Sequence, residues 1–432
     1  MDRKITERLK IWKDSPHRKP LLLEGARQVG KTYTALQFGK EYYKNTVYFN
    51  MEDSFELQKV FQKDFDTSRI LRELSAKACA TILPGDTLII FDEIQVCERA
   101  LTSLKYFYEK VPQYHIIAAG SLLGVALNRS SSSYPVGKVD RLTLYPLDFE
   151  EFLWANQQKG LAELIRESYE SDFPLSLHET AMGMYREYLA VGGMPEPVQI
   201  YVQTKDFNFV RAAQKSLSDA YIADMAKYTT PQESIRILAV WNSIPAQLAK
   251  ENHKFQYRVI KTGARAYEYE TPLQWLESAG IIHRCVRVSE GKSPLNAYAD
   301  NESFKIYMLD TGLLCARFDL AADFILTNDH RMDHFKGAFT ENYVMQALTV
   351  NEIKPYYWSQ QQKAELDFVF QMKEGAVVPL ECKSSENVRS RSMNLFMDRY
   401  DCPYGIRVSA RNFGFENGIK SIPLYALFCL SL

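Results

Sequence analysis

One stretch near the N-terminus, LLLEGARQVGKTYTALQF, constrains the fold of this chain more than any other. An apolar run feeds a glycine-bearing loop, and the loop opens into a helical pattern. Gly25, Gly30, Lys31 and Thr32 stand at the spacing G-x-x-x-x-G-K-[ST], and the strand–loop–helix context gives that spacing its meaning. Backbone N–H groups along Gly25, Ala26, Arg27, Gln28, Val29 and Gly30, with the helix N-terminus, can cradle phosphates. Lys31 is expected to neutralise the β- and γ-phosphates of ATP, and Thr32 to offer its hydroxyl to Mg2+. Such a loop belongs in an α/β fold.

A second stretch, DTLIIFDEIQ, follows in order. Leu88 to Phe91 read as a buried, parallel-type strand. Asp92 and Glu93 end it, where open α/β sheets place ligands. Asp92 is expected to hold Mg2+ and Glu93 to orient or deprotonate the attacking water. A third strand, YHIIAAGS, ends in Ser121, placed beside the acidic strand either as a sensor of the γ-phosphate or as a turn hydroxyl. In this order of motifs the chain resembles the AAA-type P-loop ATPases. Phosphoryl transfer often takes an arginine from outside the loop, and Arg129 and Arg141 lie nearest Ser121.

The remainder is too long for one core. At 432 residues, 46% hydrophobic and 24% charged, the chain reads as a folded soluble protein of several domains. A formal net charge of −1 gives no global attraction to nucleic acid, so any polyanion site needs a local patch. Seven dispersed cysteines with no C-x-x-C pair read as reduced thiols of a cytoplasmic protein. The charged start MDRKITERLK has no signal-peptide core, and no run of 18 apolar residues marks a membrane span.

Residues 156–225 read as helical, broken by YLAVGGMPEPVQ, where Gly192, Gly193, Pro195 and Pro197 make an elbow. That phrase and FKIYMLDTGLL (304–314) resemble a widespread bacterial and archaeal family of uncharacterised ATPases. The resemblance covers nearly the whole chain. It implies an AAA-type domain over 1–155, a helical lid or linker over 156–225, a winged-helix-like domain over 226–325 and a restriction-endonuclease-like domain over 326–432. Within YETPLQWLESAGIIHRCVRVS, Thr271 reads as a cap, Pro272 as the first helical position and Gly280 as the stop, with Leu273 and Leu276 on one face. The helix carries Glu277 and no Arg or Lys, which disfavours base reading. His330 and His334 lack the glutamate of a zinc-protease pattern and read as a polar helix start.

Near the C-terminus AELDFVFQMKEGAVVPLECKSS reads as a hairpin. With Lys373-Glu374-Gly375 as the loop, Met372 faces Ala376, Asp367 faces Glu381 and Glu365 faces Lys383. Period-two alternation puts Leu366, Phe368 and Phe370 on one face and the charges on the other. Glu365 opposite Lys383 is favourable, but Asp367 opposite Glu381 is not. A divalent cation between the two acids would remove the conflict, with Lys383 polarising the attacking water. The pattern resembles the PD-(D/E)xK nucleases, with Leu366 in place of the leading proline. The resemblance implies Mg2+ or Mn2+ on Asp367 and Glu381, with Glu341 as an extra helical acid. Arg389, Arg391, Arg399, Arg407 and Arg411 could supply a positive patch for DNA.

The expectation is therefore an ATP-hydrolysing AAA-type protein whose nucleotide state controls a metal-dependent nuclease-like domain acting on DNA. Its rivals are a nucleotide-driven switch that grips protein or DNA with a dead nuclease fold, and a homo-oligomeric motor. No membrane partner is expected.

Overall fold

Parallel strands carry the P-loop. In the computed structural model β1 (Leu21–Glu24), β2 (Asn45–Asn50), β3 (Thr87–Asp92), β4 (His115–Ala119) and β5 (Asp140–Thr143) form one sheet in the order β2-β3-β4-β1-β5. All four neighbouring pairs are parallel. The described residues are 1–431 without 54, 122, 126–134, 136, 251–253, 328–332, 361–363 and 385–390, and without the side chains of 333 and 334. The chain divides into two compact units, residues 2–145 with 278–280 and residues 146–277 with 281–432.

In the first unit every residue of β3 and β4 is buried, as the apolar runs predict for strands covered on both faces. Leu22, Phe49, Ile89, Phe91 and Ile116 lie in its core. Because the strands run one way, the segments leaving their C-terminal ends emerge at one edge of the sheet. The P-loop follows β1, Asp92 ends β3, and Ser121 lies just past β4. A helix then runs from Lys31 to Tyr42, with Gly30 at its start in the left-handed region, φ 96°. Gly25 has φ +139°, and a Cβ there would lie 2.2 Å from Leu144 O, so the turn admits only glycine.

The second unit begins with helices and ends with a sheet. Phe149, Phe152 and Leu153 are buried on the short helix Phe149–Ala155, which Asp148 and Glu151 start with a capping box. This helix belongs to the second unit, ahead of the expected boundary at 155. Further on, β6 (Ile282–Val288), β7 (Ala299–Met308), β8 (Tyr356–Gln360), β9 (Ala364–Gln371), β10 (Val377–Cys382), β11 (Gly405–Ser409), β12 (Gly414–Glu416) and β13 (Ile419–Pro423) form a mixed sheet. Its order is β12-β13-β11-β10-β9-β8-β6-β7. The region expected as winged-helix-like thus gives two strands to the same sheet as the region after 326. The helix before β6 differs from expectation, since it runs Ala266–Ser278 with Pro272 inside it rather than at its start. Five helical residues already precede Thr271 (Ala266 to Glu270), so Thr271 is not a cap. Leu273 and Leu276 are both buried, and Gly280 (φ 71°) lies just past the helix end at Ser278, as read.

The two phrases that carry the family resemblance meet at one joint. Asp310, just past β7, is fully buried. Its Oδ1 accepts the Leu313 N–H at 2.9 Å and caps the helix Thr311–Arg317. Its Oδ2 accepts the Gly193 N–H at 2.6 Å. A Cβ on Gly192 would fall 2.3 Å from Asp310 Oδ1, and one on Gly312 would fall 2.3 Å from Val191 O. The helix His178–Val191 ends here, and Gln214 Nε2 satisfies its last carbonyls, Ala190 O at 2.8 Å and Val191 O at 2.9 Å. Pro195 then opens the helix Pro195–Thr204.

Asp310→Asn tests this joint. Asparagine offers one acceptor oxygen, so its amide must face one of the two N–H donors and leave it buried without a partner. The expected loss is about 1–3 kcal/mol of stability, read as a lower melting temperature. An unchanged melting temperature would show that the joint tolerates an unmatched donor.

Candidate nucleotide site and a buried charge cluster

The P-loop lysine is folded onto its own loop. Lys31 is buried, and its Nζ donates to Gly25 O at 3.0 Å and Ala26 O at 2.7 Å. Burial pulls its pKa down to about 8, against the upward push of Glu93 and Asp92. It therefore stays a cation at neutral pH. Around it Ala26 and Val29 are buried, Arg27 is half-buried, and exposed Gln28 takes φ +63°. Arg3 braces this turn, donating from Nη1 to Val29 O at 3.1 Å and from Nη2 to Tyr145 O at 2.6 Å.

Thr32 Oγ1 donates to Asp92 Oδ2 at 2.7 Å. A hydroxyl and a carboxylate on two elements thus already share one point, the donor set that Mg2+ takes. The residues fit that ion. Tyr48 on β2 also donates to Asp92 Oδ2, at 2.9 Å, and sequence reading missed it. Only the pairing of β2 with β3, Asn50 against Asp92, brings it there. Glu93 stands just past β3 at φ 48° and ψ 41°, a left-handed conformation that non-glycine residues avoid. Gln95 Nε2 donates to Glu93 Oε2. Ser121 is buried beyond β4, next but one to the strand's last residue.

Of the two arginine candidates, Arg141 is already engaged. Arg141 on β5 makes a two-pronged pair with Glu24, Nε to Oε1 at 3.0 Å and Nη2 to Oε2 at 2.8 Å. Arg129 lies outside the described residues, as do His330, the His334 side chain and Arg389.

The hairpin has the expected register. Val377 pairs with Gln371 and Leu380 with Phe368, Met372 N donates to Ala376 O at 2.8 Å, and Gly375 has φ 91°. Three expectations beyond the register need correction. The register of β9 against β8 shifts, Tyr356 pairing with Val369 but Trp358 with Leu366. The extra β9 residue reverses the alternation, so Leu366 joins Val369 and Trp358 in one core cluster instead of Phe368 and Phe370. Glu365 does not meet Lys383; its Oε1 lies 2.7 Å from Lys305 Nζ. Lys383 instead pairs with Glu381 at 3.0 Å.

The third correction concerns what acts on Asp367. Burial and then Glu341 push its carboxyl up to about 7, opposed by Lys305, Lys383 and the Cys382 N–H that it accepts at 2.8 Å. Lys305 comes from β7, is 1% exposed and lies 3.5 Å from Glu341 Oε2, which also accepts the Tyr307 hydroxyl at 2.8 Å. Burial opposes its charge, but Glu341, Glu365 and Asp367 outweigh burial and hold it protonated. Much of the charge conflict assigned to a divalent ion is thus met by a buried lysine, 62 positions before Asp367 in sequence.

The donor set fits a second metal only in part. Glu381 Oε2 is buried with no hydrogen-bond partner, an atom that a cation would satisfy. Among the described residues, however, no three His, Cys, Asp or Glu side chains gather as a metal site. Of the arginines expected in a positive patch, Arg399 faces Glu290 at 3.4 Å. Each of the seven cysteines is unpaired, and no helix among the described residues is long and apolar enough to cross a membrane.

Residues 17–153 match a family model described as an AAA domain. Residues 182–323 and 336–427 match two models described as domains of unknown function, DUF8612 and DUF4143. No curated protein matches the chain. Among solved structures it is similar to the Walker-type ATPase PABY2304 of Pyrococcus abyssi, at 16% identity and TM-score 0.45, over 73% of this chain and 95% of that one. It is also similar to the ORC2 protein of Aeropyrum pernix, at 12% identity and TM-score 0.34, over 77% and 92%. The RuvB Holliday junction branch migration motor of Thermotoga maritima follows at 14% identity and TM-score 0.31, over 65% and 88%. By its family match, its P-loop and its parallel sheet, the N-terminal part of this chain is a P-loop domain of AAA type.

Proposed function

We propose that the chain binds and hydrolyses ATP with Mg2+. The observation that carries this is the 2.7 Å contact of Thr32 with Asp92 beside buried Lys31. Mg2+, held by Thr32 and Asp92, would neutralise charge on the terminal phosphates. Lys31 would leave its two carbonyls for those phosphates, Glu93 would take the proton of the attacking water, and Ser121 would sense the γ-phosphate. With Arg141 committed to Glu24, an arginine supplied by a second copy suits this site, so a homo-oligomer is part of the reading.

A second reading concerns the other unit. In it a restriction-endonuclease-like sheet uses Asp367, Glu381 and Glu341 with Mg2+ or Mn2+, and Lys383 assists cleavage of DNA under control of the nucleotide state. The partnerless Glu381 Oε2 favours it. A winged-helix-like region over 226–325 belongs to the same reading. A dead nuclease fold in a nucleotide-driven switch or motor is the outcome if no metal binds.

Lys31→Ala should abolish ATP binding, because Lys31 is the loop cation assigned to the terminal phosphates and Arg27 does not replace it. Glu93→Gln should bind ATP as the wild type does and hydrolyse it roughly 100- to 10,000-fold more slowly. Full turnover in Glu93→Gln, followed by phosphate release, would remove Glu93 from the mechanism.

Asp367→Asn separates the two outcomes for the C-terminal cluster. A carboxyl raised on folding holds its proton more tightly in the native state. Its contribution to stability is complete below the ordinary 3.8 and is lost as the pH rises through about 7. Without metal, Asp367→Asn should therefore melt higher than the wild type at pH 8, with the advantage shrinking towards pH 4. If a metal binds, Mg2+ or Mn2+ should raise the melting temperature of Lys31→Ala protein and leave the Lys31→Ala, Asp367→Asn double variant unmoved. Identical metal responses in the two proteins would end the nuclease reading.

A further inference from the structure

We propose that Gln95 is the positioning residue of the ATPase site, holding the Glu93 carboxylate in its working orientation. The proposal rests on the reading of Glu93 as the group that accepts the water's proton.

Glu93 cannot orient itself by its backbone alone. Its left-handed φ of 48° starts the short 3-10 turn Ile94–Val96, which brings the side chain of residue 95 back beside it. There the Gln95 amide grips Glu93 Oε2 and leaves Oε1 to accept a proton. The sense of the amide follows from charge, since turning it over would set its oxygen against the carboxylate. A base held by a third group in this way is a recurrent arrangement in proton-transfer sites.

The other end of the amide is also fixed. Gln95 Oε1 is buried and accepts no hydrogen bond. It presses on Gly120, where a Cβ would lie only 2.1 Å from it. Leaving a buried acceptor unpaired is unfavourable, so a residue chosen only to fill this space would be apolar. The amide is explained by what its nitrogen does. Gly120 directly precedes Ser121, so one glutamine joins the acidic end of β3 to the residue placed to sense the γ-phosphate.

Gln95→Leu and Gln95→Glu test this in parallel with Glu93→Gln, measuring ATP affinity, kcat and melting temperature for each. Leucine fills the space and removes the orphaned oxygen; glutamate keeps the shape and replaces the donor by a second carboxylate. Both should lower kcat on the order of a hundredfold, the loss typical of a misplaced catalytic group. ATP affinity should stay at the wild-type value, and the melting temperature of Gln95→Leu should not fall. Adding Gln95→Leu to Glu93→Gln should lower the residual rate no further, since the group to be positioned is already gone. A packing role would instead lower the melting temperature and leave kcat untouched, and that result overturns the proposal. So does a Gln95→Leu enzyme turning over at or above the wild-type rate while Glu93→Gln is inactive. If Glu93→Gln itself keeps full turnover, the reading of Glu93 has failed, and the positioning role falls with it.

Discussion

The parallel register of β1, β4 and β3 is the constraint on which the nucleotide site depends. Leu21 pairs with Ile117 and Ile90 with the same Ile117, so β4 holds the P-loop strand and the acidic strand at a fixed stagger. A slip of one residue in β3 would turn Asp92 to the opposite face and replace it with an apolar neighbour. Complete burial of β3 and β4 opposes such a slip less than it would in a strand with one wet face, because both faces are apolar. The register is pinned instead where polar groups meet at the strand ends. Thr32 and Tyr48 converge on one oxygen of Asp92, and the Glu93 N–H donates to the other at 3.0 Å. The same contacts that gather Thr32 and Tyr48 on Asp92 therefore also fix the sheet.

The second unit solves a related problem with different material. Asp310 satisfies backbone donors from two distant phrases and leaves no room for a side chain at Gly192. A buried carboxylate that spends its oxygens on N–H groups is a structural pin. The glycine pair and the tripeptide after Leu309 therefore meet at this one carboxylate. They are the two halves of a joint, and neither half would keep its geometry without the other.

How legible all this was in the sequence depends on the range of the interaction. The P-loop, the acidic strand and the hairpin register are set by residues close together, and each stands where the spacing placed it. The Met372–Ala376 closure and left-handed Gly375 follow from three residues of loop. The bulge in β9 is not local. It arises from pairing with β8, and it moves Leu366 across the sheet. Tyr48 becomes a partner of Asp92 only through strand pairing. Pro272 looked like a helix start because a proline is best tolerated in the first turn. The helix began earlier, where no proline or cap announced it.

Lys305 is the largest omission, and its chemistry changes how the carboxylates must be understood. Four acids, Glu341, Glu365, Asp367 and Glu381, meet two bases, Lys305 and Lys383. A lysine supplies its charge covalently, at every metal concentration, and it loses side-chain entropy to be held there. A divalent ion supplies twice the charge and stabilises only with the logarithm of its concentration over its dissociation constant. With Lys305 in place, Glu341 and Glu365 have a cation beside them without any metal. The remaining imbalance is concentrated elsewhere, on the raised Asp367 carboxyl and on the Glu381 oxygen that nothing donates to. Any ion drawn to this cluster must therefore be drawn by Glu381 and Asp367, and it must share the space with an ammonium group that is already there.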